Sequence, residues 1–124
     1  MKRAGQVAVM RFPSVDLRLG KPRPVLLLAP VPGAHEDWLV CMISSQLRHE
    51  APGLDEVIRE TDADFDGSGL KVVSLIRLGR LAVVSSGMLA GAIGSISAGR
   101  LVAVRHRLAD WLRGEQVSRP PHAP

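Results

Sequence analysis

Apolar residues in this chain fall into short runs separated by turn-forming residues, and the pattern becomes helical only near the C-terminal end. Residues 5–12, GQVAVMRF, alternate loosely and are rich in Val, which predicts a first strand ended by Pro13. A polar loop with Gly20 follows over 14–22. The continuous apolar run PVLLLA at 24–29 predicts a strand buried on both faces; it is short for a helix and flanked by Pro24, Pro30 and Pro32. VPGAHED turns the chain, and WLVCMISS at 38–45 predicts a third strand that ends in hydroxyls.

Residues 46–55 are polar with a Pro-Gly turn at 52–53, and Asp55 to Arg59 suits either a fourth strand or a helix. The segment DADFDGSG at 62–69 reads as a loop. Its three Asp residues raise a calcium question, but the closing Glu of a calcium loop is missing, so a solvated turn is expected. Residues 70–77 and 80–84 predict strands five and six, with Gly79 marking a bend or bulge between them. Gly87, Gly91, Gly94 and Gly99 argue against one long helix in the small-residue stretch that follows. A short turn capped by Ser85 or Ser86 and a brief strand at 92–96 fit it better.

From Ala98 to Arg113 the spacing of Leu101, Val104, Leu108, Trp111 and Leu112 predicts an amphipathic helix. Ser97 is its expected N-cap and Gly114 its stop; Arg100, Arg105, Arg107 and Arg113 fall mainly elsewhere on the wheel. Five to seven short strands followed by one helix imply a mainly β chain folded as a small barrel. Residues 1–113 are expected to form a single domain, and the Pro-rich segment 114–124 a disordered tail.

Composition narrows the function. The 124 residues carry a formal charge of +4, and Lys occurs only at Lys2, Lys21 and Lys71, so the basic character is that of Arg. Guanidinium forks match phosphates, which suits a polyanion partner; a GC-rich genome would also enrich Arg. Phe12, Phe65, Trp38 and Trp111 are the only aromatic residues. A binder that stacks bases on an aromatic sheet face needs more, which disfavours that class. Cys41 is the single cysteine and lies in an apolar run, so no intrachain disulfide is possible and a buried hydrophobe is expected. No apolar run approaches the length of a membrane span and no secretory leader pattern follows Met1, so a cytoplasmic protein without membrane contact is expected.

No phosphate-binding glycine loop and no nucleophile elbow occur, and His35, His49, His106 and His122 lack zinc-site pairing. Neither cofactor nor metal is expected, and chemistry must come from polar groups at strand ends. Arg23 stands between Pro22 and Pro24 at the mouth of a hydrophobic strand, where the two prolines restrict the backbone. Ser44, Ser45 and Gln46 end another buried strand. A fixed cation beside hydroxyl and amide donors is what phosphoryl transfer needs, because charge gathers on phosphate oxygens in the transition state. With RNA, the 2′-hydroxyl can serve as nucleophile and no metal is required. An ordinary surface Arg and an ordinary strand end are the competing reading of the same residues.

The order of segments narrows it further. GxVxVxRFP, then GKxRPVLLL, a strand ending ISSQ, SGLK, SLIRLxRL, IGSIS and a terminal helix together resemble the MazF/PemK family of toxins, from about Gly5 to Leu112. The resemblance implies an SH3-like barrel with a C-terminal helix, usually a homodimer held inactive by a cognate antitoxin. It also implies an endoribonuclease that cuts single-stranded mRNA to 2′,3′-cyclic phosphate and 5′-hydroxyl ends. Arg23 matches the family's catalytic arginine, Ser44 its catalytic threonine and Gln46 the glutamine after it. Lys21, Arg18, Ser45, Arg48 and His49 are the accompanying candidates for RNA contact. Some members place a carboxylate beside the arginine as base; Pro22 holds that position here, so Asp16 is the candidate base, with His49 behind it. Two other functions fit the same fold: a catalytically weak RNA- or partner-binding barrel, and a gyrase-directed toxin of the CcdB kind.

Overall fold

Val25, Leu26, Leu27 and Leu28 are all buried, which requires protein on both faces of the strand that carries them. In the computed structural model, residues 2–13 and 19–115 are described, with side chains for 2–10 and 22–115. The chain forms strands β1 (Gln6–Pro13), β2 (Leu19–Val31), β3 (Asp37–Ser44), β4 (Glu56–Ile58), β5 (Ser74–Ser85) and β6 (Leu89–Ser95). Two helices, α1 (Phe65–Ser68) and α2 (Ala98–Leu112), complete it, with 3-10 turns at Leu47–His49 and Ser86–Met88. All pairings are antiparallel, in the order β4-β5-β3-β2-β1-β6. The described strands leave β4 and β6 as edges, so the ladder is a strongly bulged open sheet rather than a hydrogen-bonded ring. No helix among the described residues is long and apolar enough to cross a membrane.

Alternation along the strands sorts the apolar side chains into two cores. Leu26, Leu28, Cys41, Ile43 and Ile76 join Phe65 of α1 and Val104 and Leu108 of α2 in one. Val25, Leu27, Val40, Trp38, Met10 and Leu89 form the other. Trp38 fills the second core, although its buried Nε1 finds no acceptor among the described residues. The loss of that hydrogen bond costs about 1–3 kcal/mol, which the burial of so large a ring offsets.

Several sequence expectations change in detail. Segments 70–77 and 80–84 are not two strands but one, starting at Ser74, because β3 pairs along all of it. The partner of Cys41 is Leu81 while that of Met42 is Arg77, so Leu78, Gly79 and Arg80 bulge out between them. Asp55 explains why the bulge is stable: its carboxylate accepts from Leu78 N–H at 2.9 Å and from Ala51 N–H at 2.8 Å. The DEVIRE segment resolves as a short strand, and the 62–69 loop contains one helical turn. Gly69 ends that turn at φ +77°. Gly94 of β6 runs so close to α1 that a Cβ there would lie 2.6 Å from the Ser68 carbonyl oxygen, which makes glycine obligatory.

Helix α2 starts as expected, with the Ser97 hydroxyl accepting from Arg100 N–H at 3.1 Å, but its arginines do not simply face solvent. Arg100 is gripped by the aspartate loop: its Nε donates to Asp64 at 2.8 Å and its Nη2 to Asp62 at 2.9 Å. Two of the three carboxylates that raised the calcium question are therefore spent on a guanidinium. Arg105 donates to the Leu28 carbonyl at 3.0 Å through Nε, and Arg107 to the Asp55 carbonyl at 2.7 Å. Trp111 and Leu112, expected on the buried stripe, are exposed because the helix passes beyond the edge of the core. Val104 and Leu108 of α2 are buried in the first core, and a fully buried Leu or Val contributes about 1.5–3 kcal/mol. That core holds α2 down, and the largely buried Arg100–Asp64 pair fixes where it sits.

The Arg100 guanidinium, bound through side-chain hydrogen bonds, holds the Asp64 carboxyl down at about 2. A carboxyl lowered by folding adds stability only while ionised, so its contribution is full above the ordinary carboxylate range near 4 and fades as pH falls toward 2. Asp64→Asn is expected to lower the melting temperature at neutral pH. The gap from the parent protein should narrow steadily below pH 4 in thermal melts, and a gap constant with pH would contradict this assignment.

Candidate functional site

The row Val25, Leu27 on β2 and the row Trp38, Val40, Met42 on β3 face the second core, and at one end of the sheet both rows turn polar. Val25 pairs with Met42. The β2–β3 ladder ends at that pair; Arg23 and Ser44 each lie two residues beyond it, on the strand faces that continue the core. On its other side Arg23 is fixed opposite Met10 of β1. The adjacent prolines suit this position, since Pro22 and Pro24 constrain the backbone of a strand end.

A groove of about 690 Å³ opens here, lined by Arg23, Pro22, Pro24, Ser44, Ser45 and Gln46 on one side. Gly69, Leu70, Lys71 and Val72 form another wall, with Ser74 and Ile93 completing it. The second wall owes its position to the close approach of α1 and β6, where Gly69 meets Ile93. Arg23 is exposed and Ser44 half-buried, so a guanidinium and a hydroxyl face the same space. Ser44 Oγ accepts from Gln46 N–H at 3.0 Å. That bond uses an oxygen lone pair and leaves the hydroxyl proton to donate outward. A cation and a neutral donor converging on one space make a seat for an anion. Among the described residues no group of three His, Cys, Asp or Glu side chains is arranged to hold a metal ion.

The sequence model of a family described as PemK-like, MazF-like toxins of type II toxin-antitoxin systems matches residues 3–112. The chain belongs to that family. No curated protein matches it in sequence. Among solved structures, the Mycobacterium tuberculosis toxin MazF-mt6 superposes with TM-score 0.63 at 17% identity, over 87% of this chain and 96% of that one. An endoribonuclease in complex with its cognate antitoxin, from a mycobacterial species, superposes with TM-score 0.64 at 12% identity, over 97% and 100%. At such identities the two structures speak for the shared MazF fold.

Within this MazF-like frame the structure brings Arg23, Ser44, Ser45 and Gln46 together, as the sequence expectation had them. His49 lines an adjoining depression that it shares with Arg23 and Ser44. Arg48 is exposed on the 3-10 turn beside it and does not line the groove. Lys21 is placed only by its backbone on β2, and Asp16 and Arg18 lie outside the described residues. Lys71, Ser74 and Arg77 escaped the sequence analysis. The signal for Arg77 was its position before Gly79, which becomes meaningful only once the bulge fixes the register with Met42.

Cys41 takes no part. It is buried in the first core, and burial pushes its thiol up to about 12, with the nearby Asp55 charge adding to the effect. Native protein is expected to resist iodoacetamide at pH 8 and to alkylate at once in denaturant; rapid labelling of the folded form would contradict the placement.

Proposed function

We propose that the chain is the toxin of a toxin–antitoxin pair and acts as a metal-independent endoribonuclease on single-stranded mRNA in the cytoplasm. The observation that carries this reading is the meeting of Arg23 and the Ser44 hydroxyl at the end of one sheet face, in an open groove. An RNA phosphate seated there receives a charge-assisted bond from the guanidinium and a second bond from Ser44 Oγ–H. The neighbouring 2′-hydroxyl gives its proton to a base and attacks phosphorus as the P–O5′ bond breaks, and the departing O5′ takes a proton from the protonated base or water, giving a 2′,3′-cyclic phosphate and a 5′-hydroxyl end. Negative charge builds on the non-bridging oxygens as this happens, and preorganised donors act on that charge directly. His49, which lines the adjoining depression with Arg23, is the second candidate in this reading to take the 2′-hydroxyl proton. Asp16, the first candidate base, falls between β1 and β2 in sequence and lies outside the described residues.

The reading predicts cleavage of long single-stranded RNA by purified protein in EDTA, with cyclic-phosphate ends. Loss of one donor to developing charge costs about 10²–10³ in rate, so Arg23→Ala should reduce cleavage by that order. Intact RNA across varied sequences, or equal cleavage by folded Arg23→Ala, refutes it. Binding of RNA without cleavage would favour the weak binding barrel instead, a reading supported by the absence of a carboxylate among the described residues of the groove wall.

An antitoxin is the second partner of this reading, and a solved relative of the same fold is described in complex with its own. A homodimer is the third. Val83, 60% exposed on β5, and Met88, 47% exposed on the turn after it, are apolar side chains that a second copy would cover. Light scattering at micromolar concentration should give twice the 13.3 kDa chain mass, and a monomer mass would contradict the dimer.

A further inference from the structure

The groove does not end at Ser44. A depression of about 460 Å³ shares Arg23, Ser44 and Gln46 with it and adds His49 and Arg77. A third, of about 240 Å³, shares His49 and Arg77 with the second and adds Arg80 and Gly79. The three form a path from Arg23 across the face of β5, and the β5 bulge builds its far end. Arg77 keeps its place opposite Met42, on the face that carries Ser44. Arg80, the third of the unmatched residues after it, lines the same path rather than continuing the ladder.

Asp55 reaches the third depression but is buried, and its two carboxylate oxygens accept Leu78 N–H and Ala51 N–H. Its charge is thus committed to backbone donors inside the bulge. Among the described residues, neither Arg77 nor Arg80 has a carboxylate partner, whereas Arg100, Arg107 and Arg113 do. Among the described residues the guanidiniums that face the path are thus not neutralised by a carboxylate, a state that Arg48, Arg59 and Arg105 share elsewhere.

We propose that the Asp55-clamped bulge makes Arg77 and Arg80 a second phosphate-binding station, which holds nucleotides of the same RNA beyond the phosphate seated at Arg23. The proposal rests on the RNA reading of the Arg23 groove. Two guanidiniums at a spacing set by a bulge suit the regular phosphates of a single strand, since each fork matches one phosphate. Their role is to anchor and register the strand, and they do not touch the reacting phosphate.

The test is binding of 2′-O-methyl oligonucleotides, which cannot be cut, in a short form that covers the Arg23 groove alone and a longer one. Each phosphate contact contributes about 0.7 to the slope of log K against log salt for a single strand. Arg77→Ala with Arg80→Ala should therefore lower the slope for the long oligonucleotide by about 1.4 and leave the short one unchanged. Arg77→Lys with Arg80→Lys should keep most of the slope. An unchanged slope for the long form in protein that melts like the parent overturns the proposal. Equal losses for both lengths overturn it too, as does a poly-glutamate peptide that depends on the two arginines when RNA does not. In these cases a persistent effect of Arg23→Ala on RNA binding leaves the RNA reading intact. If the parent protein binds neither oligonucleotide, both fall.

Discussion

Val25 lies opposite Met42 and Leu26 opposite Cys41, and this antiparallel register between β2 and β3 fixes everything else in the molecule. Both strands are buried on both faces, so a slip by one residue would exchange the side chains of the two cores. The exchange would put Cys41 and Leu26 where Val40 and Leu27 belong, against different neighbours and volumes. Because close-packed interiors tolerate such changes poorly, packing specifies the register. Just beyond the last pair of that register, the two strands carry Arg23 and Ser44, which line one groove. The candidate site is thus built at the end of the core strands, with the segment 69–72 as its other wall.

Stability and function share the charged residues in an uneven way. The positive charge of the sequence suggests a polyanion partner, but part of it serves the fold. Arg100 holds the aspartate loop, Arg105 reaches the Leu28 carbonyl and Arg107 the Asp55 carbonyl, so much of the basic face of α2 anchors the helix. The cations near the groove are others: Arg23, Arg77 and Arg80 from strands, and Lys71 from the bend before β5. Asp55 links the two roles, since the hydrogen bonds that stabilise the bulge also withdraw its carboxylate from the basic path.

Much of this was legible in the sequence, for reasons that can be named. The run at 24–29 has no polar residue to face solvent, so burial on both faces followed directly. Ser97 before a helical pattern and Gly114 after it marked α2, whose ends match. Arg23 and Ser44 stood out because prolines and hydroxyls mark strand ends, and the family motif joined them. What was hidden depended on contacts distant in sequence. Nothing local says that 70–84 contains one bulged strand, because the bulge is held by Asp55, 23 residues away from Leu78. The pairing of Asp62 and Asp64 with Arg100 is likewise invisible to a reading of the loop alone.

If Arg23 and Ser44, which line one groove, act on a single phosphate, their contributions to cleavage cannot be independent. The direct measurement is a double-mutant cycle on the RNA cleavage rate, with Arg23→Ala, Ser44→Ala and the pair, each confirmed as folded. Groups that act as a unit give strongly non-additive losses, so the double variant should be hardly slower than Arg23→Ala alone. Losses that multiply, with the double variant slower by the product of the two single effects, would contradict the shared phosphate on which this account depends.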